Sequence, residues 1–305
     1  MRVIKDIQKL KNIKSAIITI GNFDGVHTGH QQILKVVNER AAKYGLPSIV
    51  YTFEPHPLKI LAPHKSPPLL TTLKEKIALI KKYGIDYLIL AQFTKEFASQ
   101  HPKKFVMDVL VGKLKASEIW IGHDYAFGRG KEGTALYLKE LGKELDFKVH
   151  IIPAYKKKGV IVSSSKIREF IQNGKLKEAA NFMGRPYIIL GRVVKGRSMG
   201  KKLGFPTANL EISNELVPPN GVYAVYVTGL GKKIYHGVAN IGLAPTFGAN
   251  KFVIEVHIID FKKEIYGKKI KVEFIKKLRN EKVFRTTEGL VAQIMKDIEQ
   301  AKKVV

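Results

Sequence analysis

Residues 21–30 read Gly-Asn-Phe-Asp-Gly-Val-His-Thr-Gly-His, with His27 and His30 three positions apart behind a glycine-rich turn. The segment directly follows an apolar run at 16–20 and opens a stretch in which Ile33, Leu34, Val37, Ala41 and Tyr44 share one helical face. A helix start carries unpaired N–H groups and the positive end of the helix dipole, so it suits phosphate. Gly21, Gly25 and Gly29 let backbone approach a ligand, and two imidazoles on the first turn can donate hydrogen bonds to phosphate oxygens. On spacing alone the histidines could equally be surface residues, or metal ligands with Asp24. A second loop, 191–204, carries Gly191, Gly196, Gly200 and Gly204 with Arg192, Lys195, Arg197, Lys201 and Lys202 among them, and no acid. Such a loop suits polyphosphate, although it lacks the spacing of a P-loop. Ser163, Ser164 and Ser165 precede a helical pattern, where hydroxyls both cap and bind phosphate, and Arg168 can neutralise released charge. Gly128-Arg129-Gly130-Lys131-Glu132-Gly133 spells a dinucleotide-binding fingerprint, but the acid due about 20 residues later is missing from 151–155.

These residues need elements to hold them. Strand-like runs at 16–20, 48–53, 87–91, 119–122 and 148–152 alternate with helical patterns at 73–83, 102–111 and 134–145. That succession implies a Rossmann-like α/β domain, a parallel sheet with its ligand beyond the strand C-termini. Helical stretches at 163–173 and 175–183 follow. From Tyr187 strands dominate, at 187–194, 222–228, 233–241, 252–260 and 269–278, separated by Gly and Pro clusters. This pattern predicts an antiparallel β-barrel, closed by an amphipathic helix at 287–301. The boundary falls near Gly184, giving domains 1–184 and 185–305. The chain has no cysteine, which excludes disulfides, thiolate zinc ligands and a cysteine nucleophile. Its start has no secretory h-region and no apolar run is long enough to span a membrane, so a cytoplasmic protein is expected. Lys+Arg 53 against Asp+Glu 26 gives +27, which fits nucleic acid or phosphorylated small molecules as partners, or simply solvated lysine pairs.

Taken in order, the motifs resemble bacterial bifunctional riboflavin kinase/FMN adenylyltransferases along nearly the whole chain. Gly-x-Phe-Asp-Gly-x-His-x-Gly-His is the first signature. Thr52-Phe53-Glu54-Pro55-His56-Pro57 and Gly122-His123-Asp124-Tyr125-Ala126-Phe127-Gly128 follow, the latter with Tyr125 where the family usually has Phe. Ser163-Ser164-Ser165-Lys166-Ile167-Arg168 is similar to Ser-Ser-Thr-x-Ile-Arg, with Ser165 in place of Thr. In the second half, Leu203-Gly204-Phe205-Pro206-Thr207-Ala208-Asn209-Leu210 resembles the flavokinase signature, and Asn240 to Gly248 the segment that precedes its glutamate.

The resemblance implies ATP as co-substrate, Mg²⁺, and the small molecules riboflavin, FMN and FAD as partners. FMN adenylylation would run at Gly21, Asn22, Phe23, Asp24, Gly25, Gly29, Ser164 and Ser165, with His27, His30 and Arg168 stabilising phosphate charge. Phe53, Pro55, His56, Asp124 and Phe127 would face the flavin, as would Arg279 and Leu290 in the second half. Gly191, Gly196, Lys201, Gly204, Pro206 and Thr207 would bind the kinase's ATP. Thr207 and Asn209, two residues apart on an extended chain, present hard oxygens suited to Mg²⁺. Glu255 alternates with Ile254 and Val256, so pattern alone makes it solvent-facing. The resemblance instead makes it the base for the riboflavin hydroxyl. Nucleic-acid binding, the competing reading of the charge, has no recognition helix, zinc site or RNA-binding aromatic signature behind it. A chain with one dead site is disfavoured by the intact residues of both.

Overall fold

The computed structural model describes residues 1–10, 12–196, 200, 203–244 and 251–304. They form two compact units, Met1–Ser163 and Ser164–Val305. In the first, strands β1 (Arg2–Ile4), β2 (Ala16–Ile20), β3 (Ser48–Glu54), β4 (Tyr87–Gln92), β5 (Ala116–Gly122) and β8 (Lys148–Ile152) make a six-stranded parallel sheet in the order β1-β4-β3-β2-β5-β8. The short strands β6 (Ala126–Phe127) and β7 (Gly133–Thr134) pair with each other, as do β9 (Lys156–Lys157) and β10 (Val160–Ile161). Every residue of β2 is buried, as a strand covered on both faces requires. Ala16, Ile18 and Ile20 join one core with Phe105, Leu110 and Leu138, while Ile17 joins another with Leu34, Val37 and Ile80.

Helix α1 (Thr28–Tyr44) supplies Ile33, Leu34, Val37 and Ala41 to that second core and ends at Gly45 in the left-handed conformation. Two short helices, α2 (Pro57–Leu61) and α3 (Leu73–Lys81), follow β3. Thr72 and Glu75 form a reciprocal capping box that starts α3. Then come α4 (Lys95–Ala98), α5 (Pro102–Phe105) and α6 (Ala135–Glu144). The predicted helix at 102–111 changes character midway: Val106–Lys113 is π-helical. The chain runs from β2 outward through β3 and β4, then crosses back to place β5 on the other side of β2. That reversal is the switch point at which open α/β sheets bind ligands.

The second unit opens with α7 (Ser164–Gln172) and α8 (Leu176–Met183). Strands β11 (Tyr187–Val194), β12 (Thr207–Ile212), β13 (Gly221–Thr228), β14 (Tyr235–Ala244), β15 (Lys251–Ile258) and β16 (Lys269–Arg279) close an antiparallel barrel in the order β11-β12-β15-β14-β13-β16. Helix α9 (Thr287–Val304) packs on β13, β14 and β16. The expected boundary at 184/185 thus differs from the compact units. Helix α8 buries Leu176, Ala179, Phe182 and Met183, packs on β11 and β16, and brings α7 with it. Strand β12 was absent from the sequence pattern, and it carries two of the candidate metal ligands.

Candidate active sites

The first site lies where β2 ends. Phe23 and Val26 both have positive φ, 50° and 39°, as does Gly25 at 79°. A β-branched residue such as Val26 avoids this region, so the turn is held by its surroundings. Asp24 does much of the holding. Its buried carboxylate accepts from the N–H of Leu70 at 2.9 Å and of Thr71 at 3.3 Å, while the N–H of Gly25 donates to Thr71 Oγ1 at 3.2 Å. A Cβ on Gly25 would lie 2.6 Å from Leu70 Cδ1, so this seat admits only glycine. Phe23 is buried, its ring edge-on to His30 at 5.1 Å. Gly21 and Gly29 flank the turn, and Asn22 at its apex is exposed.

His27 caps α1: its Nδ1 accepts the His30 N–H at 3.2 Å. In the neutral ring the proton therefore sits on Nε2. The His30 ring stacks on His27 with centroids 3.6 Å apart and planes 16° off parallel. His30 Nδ1 is buried with no hydrogen-bond partner among the described residues. Burial, then the neighbouring His27 and Lys76, hold the His30 pKa well below 6.5. Two imidazoles stacked at a helix N-terminus can form a donor array for a polyphosphate.

Lys76, which the sequence reading passed over, stands behind this array. Its side chain is buried, with Nζ 3.5 Å from Asn22 O, 3.5 Å from Thr52 Oγ1 and 3.4 Å from Phe53 O. In the sequence it looks like a solvated helix lysine. Its position three residues after Leu73 and four before Ile80, on the apolar stripe of α3, was the available signal.

The expected flavin wall gathers at the ends of β3 and β5. Phe53 packs edge-on against Tyr51 at 5.5 Å and Phe93 at 5.4 Å, and Phe97 and Phe105 extend the cluster. Pro55 follows a cis peptide bond, and His56 caps α2 by accepting the Leu58 N–H at Nδ1, 3.2 Å. Asp124 is exposed beyond β5. Phe127 is instead a core residue, stacked on Tyr125 and packed against Phe105. Burial raises the pKa of the Tyr125 hydroxyl, which has no partner among the described residues. Ser164 and Ser165 start α7 and Arg168 is buried on it, so by packing all three belong with the second unit.

The second site is a matter of register. On the barrel, Asn209 of β12 pairs with Glu255 of β15, and Glu255 pairs with Asn240 of β14. Thr207 pairs with His257, whose Nδ1 lies 2.9 Å from Pro206 O. All five side chains are half-buried, whereas Ala208, Leu210, Ile254, Val256, Ala239 and Ile241 between them are buried. Thr207, Asn209 and Glu255 therefore share one face with two neutral oxygens and a carboxylate, a donor set that fits a hard divalent cation. A Cβ at Gly196 would lie 2.1 Å from Asn209 Nδ2, and one at Gly200 would lie 3.3 Å from Thr207 Oγ1. Gly196 and Gly200 thus lie directly against these residues. Gly191 sits within β11 against Leu210, and Gly204 has positive φ ahead of Pro206. Lys201, Arg197, Lys202 and the segment 245–248 lie outside the described residues.

Arg279, expected near the flavin, is ion-paired. Its Nε and Nη2 donate to the buried Asp297 carboxylate at 2.9 and 2.8 Å, and Gln293 adds a bond to the same group. The pair ties the end of β16 to α9, which also carries half-buried Leu290. Among the described residues no three His, Cys, Asp or Glu side chains form a metal cluster.

A glycine-rich turn at the switch point of a parallel sheet, followed by a barrel that brings an acid and hard oxygens beside Gly196, fits the class of two-unit nucleotide-dependent transferases. Comparison with known proteins carries this further. The family model described as FAD synthetase matches residues 9–166, and that described as riboflavin kinase matches 183–305. The bifunctional riboflavin kinase/FMN adenylyltransferase of Escherichia coli K12 is 39% identical over 97% of this chain and 96% of its own. That of Bacillus subtilis is 38% identical over 94% and 91%. A solved structure from Streptococcus pneumoniae, described as a macrolide-efflux protein, is 31% identical with TM-score 0.89, covering 99% of this chain and 98% of that one. The chain belongs to the bifunctional riboflavin kinase/FMN adenylyltransferase family, with the FAD synthetase unit first and the riboflavin kinase unit second.

Proposed function

We propose that FMN adenylylation takes place at the turn 21–30 and riboflavin phosphorylation on the barrel face around Glu255. At the first site, ATP phosphates lie against Gly21, Asn22, Gly25 and Gly29 and accept from His27 and His30. Ser164, Ser165 and Arg168, at the start of α7, are assigned as phosphate contacts. An FMN phosphate oxygen attacks the α-phosphorus in line, the bond to the bridging oxygen breaks, and pyrophosphate leaves. Histidine N–H groups suit this step, since they donate hydrogen bonds to the developing charge. Phe53, Pro55, His56 and Asp124 form the flavin side.

On the barrel, Glu255 accepts the proton of the riboflavin 5′-hydroxyl as its oxygen attacks the γ-phosphorus, and ADP leaves. Thr207 and Asn209 would hold Mg²⁺, which when bound neutralises charge on the phosphates. Gly191, Gly196, Lys201, Gly204 and Pro206 line the nucleotide, and Leu290 the flavin. Arg279 enters this reading as the clamp on α9. The observation that supports the assignment best is the Asn209–Glu255–Asn240 register, with Gly196 against Asn209. No helix among the described residues is long and apolar enough to cross a membrane, and a cytoplasmic enzyme without a nucleic-acid partner is proposed.

The test is chromatography of flavins after incubation with ATP, Mg²⁺ and either riboflavin or FMN. FMN and FAD from riboflavin, with FAD from FMN, are expected. A failure to make FAD from FMN would remove the first assignment, and a failure to consume riboflavin the second.

A further inference from the structure

Lys76 is a buried cation with no carboxylate at bonding distance among the described residues. Lysine is rarely buried without a charged partner, because removing an ammonium from water is costly. Burial accordingly lowers its pKa, with Glu54 and Asp24 acting in the opposite sense. If α3 needed only an apolar anchor at this position, methionine or leucine would serve. The ammonium instead reaches acceptors from two separate elements: the carbonyl of Asn22, in the phosphate turn, and the hydroxyl of Thr52 and carbonyl of Phe53, at the end of β3. Thr52 Oγ1 also donates to Asn22 O at 3.2 Å, so the three groups form one small polar knot. Along the chain, Asn22 leads into His27 and His30, and Phe53 leads into Pro55 and His56. Transfer between two bound substrates depends steeply on their separation, and a misplacement of about 1 Å can cost about 100-fold in rate.

We infer that Lys76 is a positioning residue for FMN adenylylation, fixing the phosphate turn against the end of β3 so that nucleotide and flavin phosphate meet at reacting distance. This rests on the assignment of that reaction to the turn. The geometry accounts for a lysine here rather than an arginine or an apolar residue. A slender ammonium fits between the two segments, and its three donors match three acceptors.

The experiment compares Lys76→Met, Lys76→Arg, Thr52→Val and His30→Ala in the full chain, measuring kcat and KM for FMN-to-FAD conversion and the melting temperature of the first unit. Riboflavin phosphorylation by the same samples checks the second unit. Lys76→Met is expected to lower kcat at least about tenfold while KM for ATP stays within about threefold. Lys76→Arg restores part of the loss, and Thr52→Val gives a smaller loss of about threefold. Wild-type kcat in Lys76→Met, with only the melting temperature lowered, would overturn the positioning role. Should that variant not fold, Thr52→Val decides, and an unchanged kcat there overturns the role equally. If His30→Ala still forms FAD, the site assignment and this inference fall together. If His30→Ala is inactive while Lys76→Met is fully active, only the inference falls.

Discussion

His30 shows how burial sets chemistry at a single residue. Its ring is sandwiched between Phe23 and His27, and its pKa is depressed chiefly because the charged form loses hydration. The linkage has a definite sign. Below pH 6.5 the unfolded chain takes up a proton at this position that the folded chain refuses. Stability of the first unit is therefore fully present above that pH and falls as pH drops toward the depressed folded value, by up to about 1.4 kcal/mol per pH unit. Calorimetry between about pH 7.5 and about pH 5.5 should show a smaller loss of melting temperature in His30→Gln than in the parent. An equal loss would mean that His30 is protonated in the fold. Glu255 poses a different question, since alternation along β15 marks it as an outward residue like any other. Glu255→Gln keeps its size and hydrogen-bonding capacity but cannot accept a proton. It is expected to slow FMN formation by about 100- to 10,000-fold while FAD formation from FMN continues unchanged. A loss below about threefold would exclude it as the base.

At the level of elements, the sequence was most legible where burial is continuous. The runs around Ile18, Val50 and Leu88 are apolar throughout because both faces of the sheet are covered, and the structure finds strands there. The barrel strand β12 was not legible, because Ala208, Asn209 and Glu211 interrupt the pattern of β-branched and aromatic residues that marks a strand. Its place is fixed by pairing with β11 and β15, which no local pattern reveals. The same holds for Lys76 and Asp24, whose roles depend on segments 23 to 54 residues away along the chain. Phe127 and Arg279 carry the converse lesson: a motif position can be filled by a residue that packs a core or clamps a helix. The glycine loop yields an element-scale prediction. Gly196 has no room for a methyl group, because its Cβ would overlap the side chain of Asn209. Gly196→Ala should therefore displace Asn209 and lower riboflavin phosphorylation at least about tenfold, with FAD formation from FMN unaltered. Assay of both reactions on one sample checks this, and parent-like phosphorylation would show that Asn209 needs no such cover.

At the level of the whole molecule, the excess of positive charge remains to be weighed. A net +27 would draw polyanions of any kind at low salt. The described ion pairs explain little of it, since most join exposed lysines to single acids across one helical turn or a surface gap. Such pairs contribute little and leave most lysines facing solvent. Each unit takes a phosphorylated substrate, ATP in both and FMN in the first, so part of the charge suits them without nucleic acid. The two explanations separate by salt. Binding that rests on counterion release loses about 10³ to 10⁵ in affinity between about 50 and 200 mM salt for six to ten phosphate contacts. Binding of ATP in a built site, fixed by backbone donors and stacked imidazoles, depends on salt far less. Duplex DNA and single-stranded RNA are therefore expected to be retained at low salt only, and released near about 150 mM with no dependence on sequence. At the same ionic strength, flavin turnover should persist. Sequence-selective retention at that salt would demand a nucleic-acid surface that the catalytic sites do not supply, and would reopen the charge as a second function.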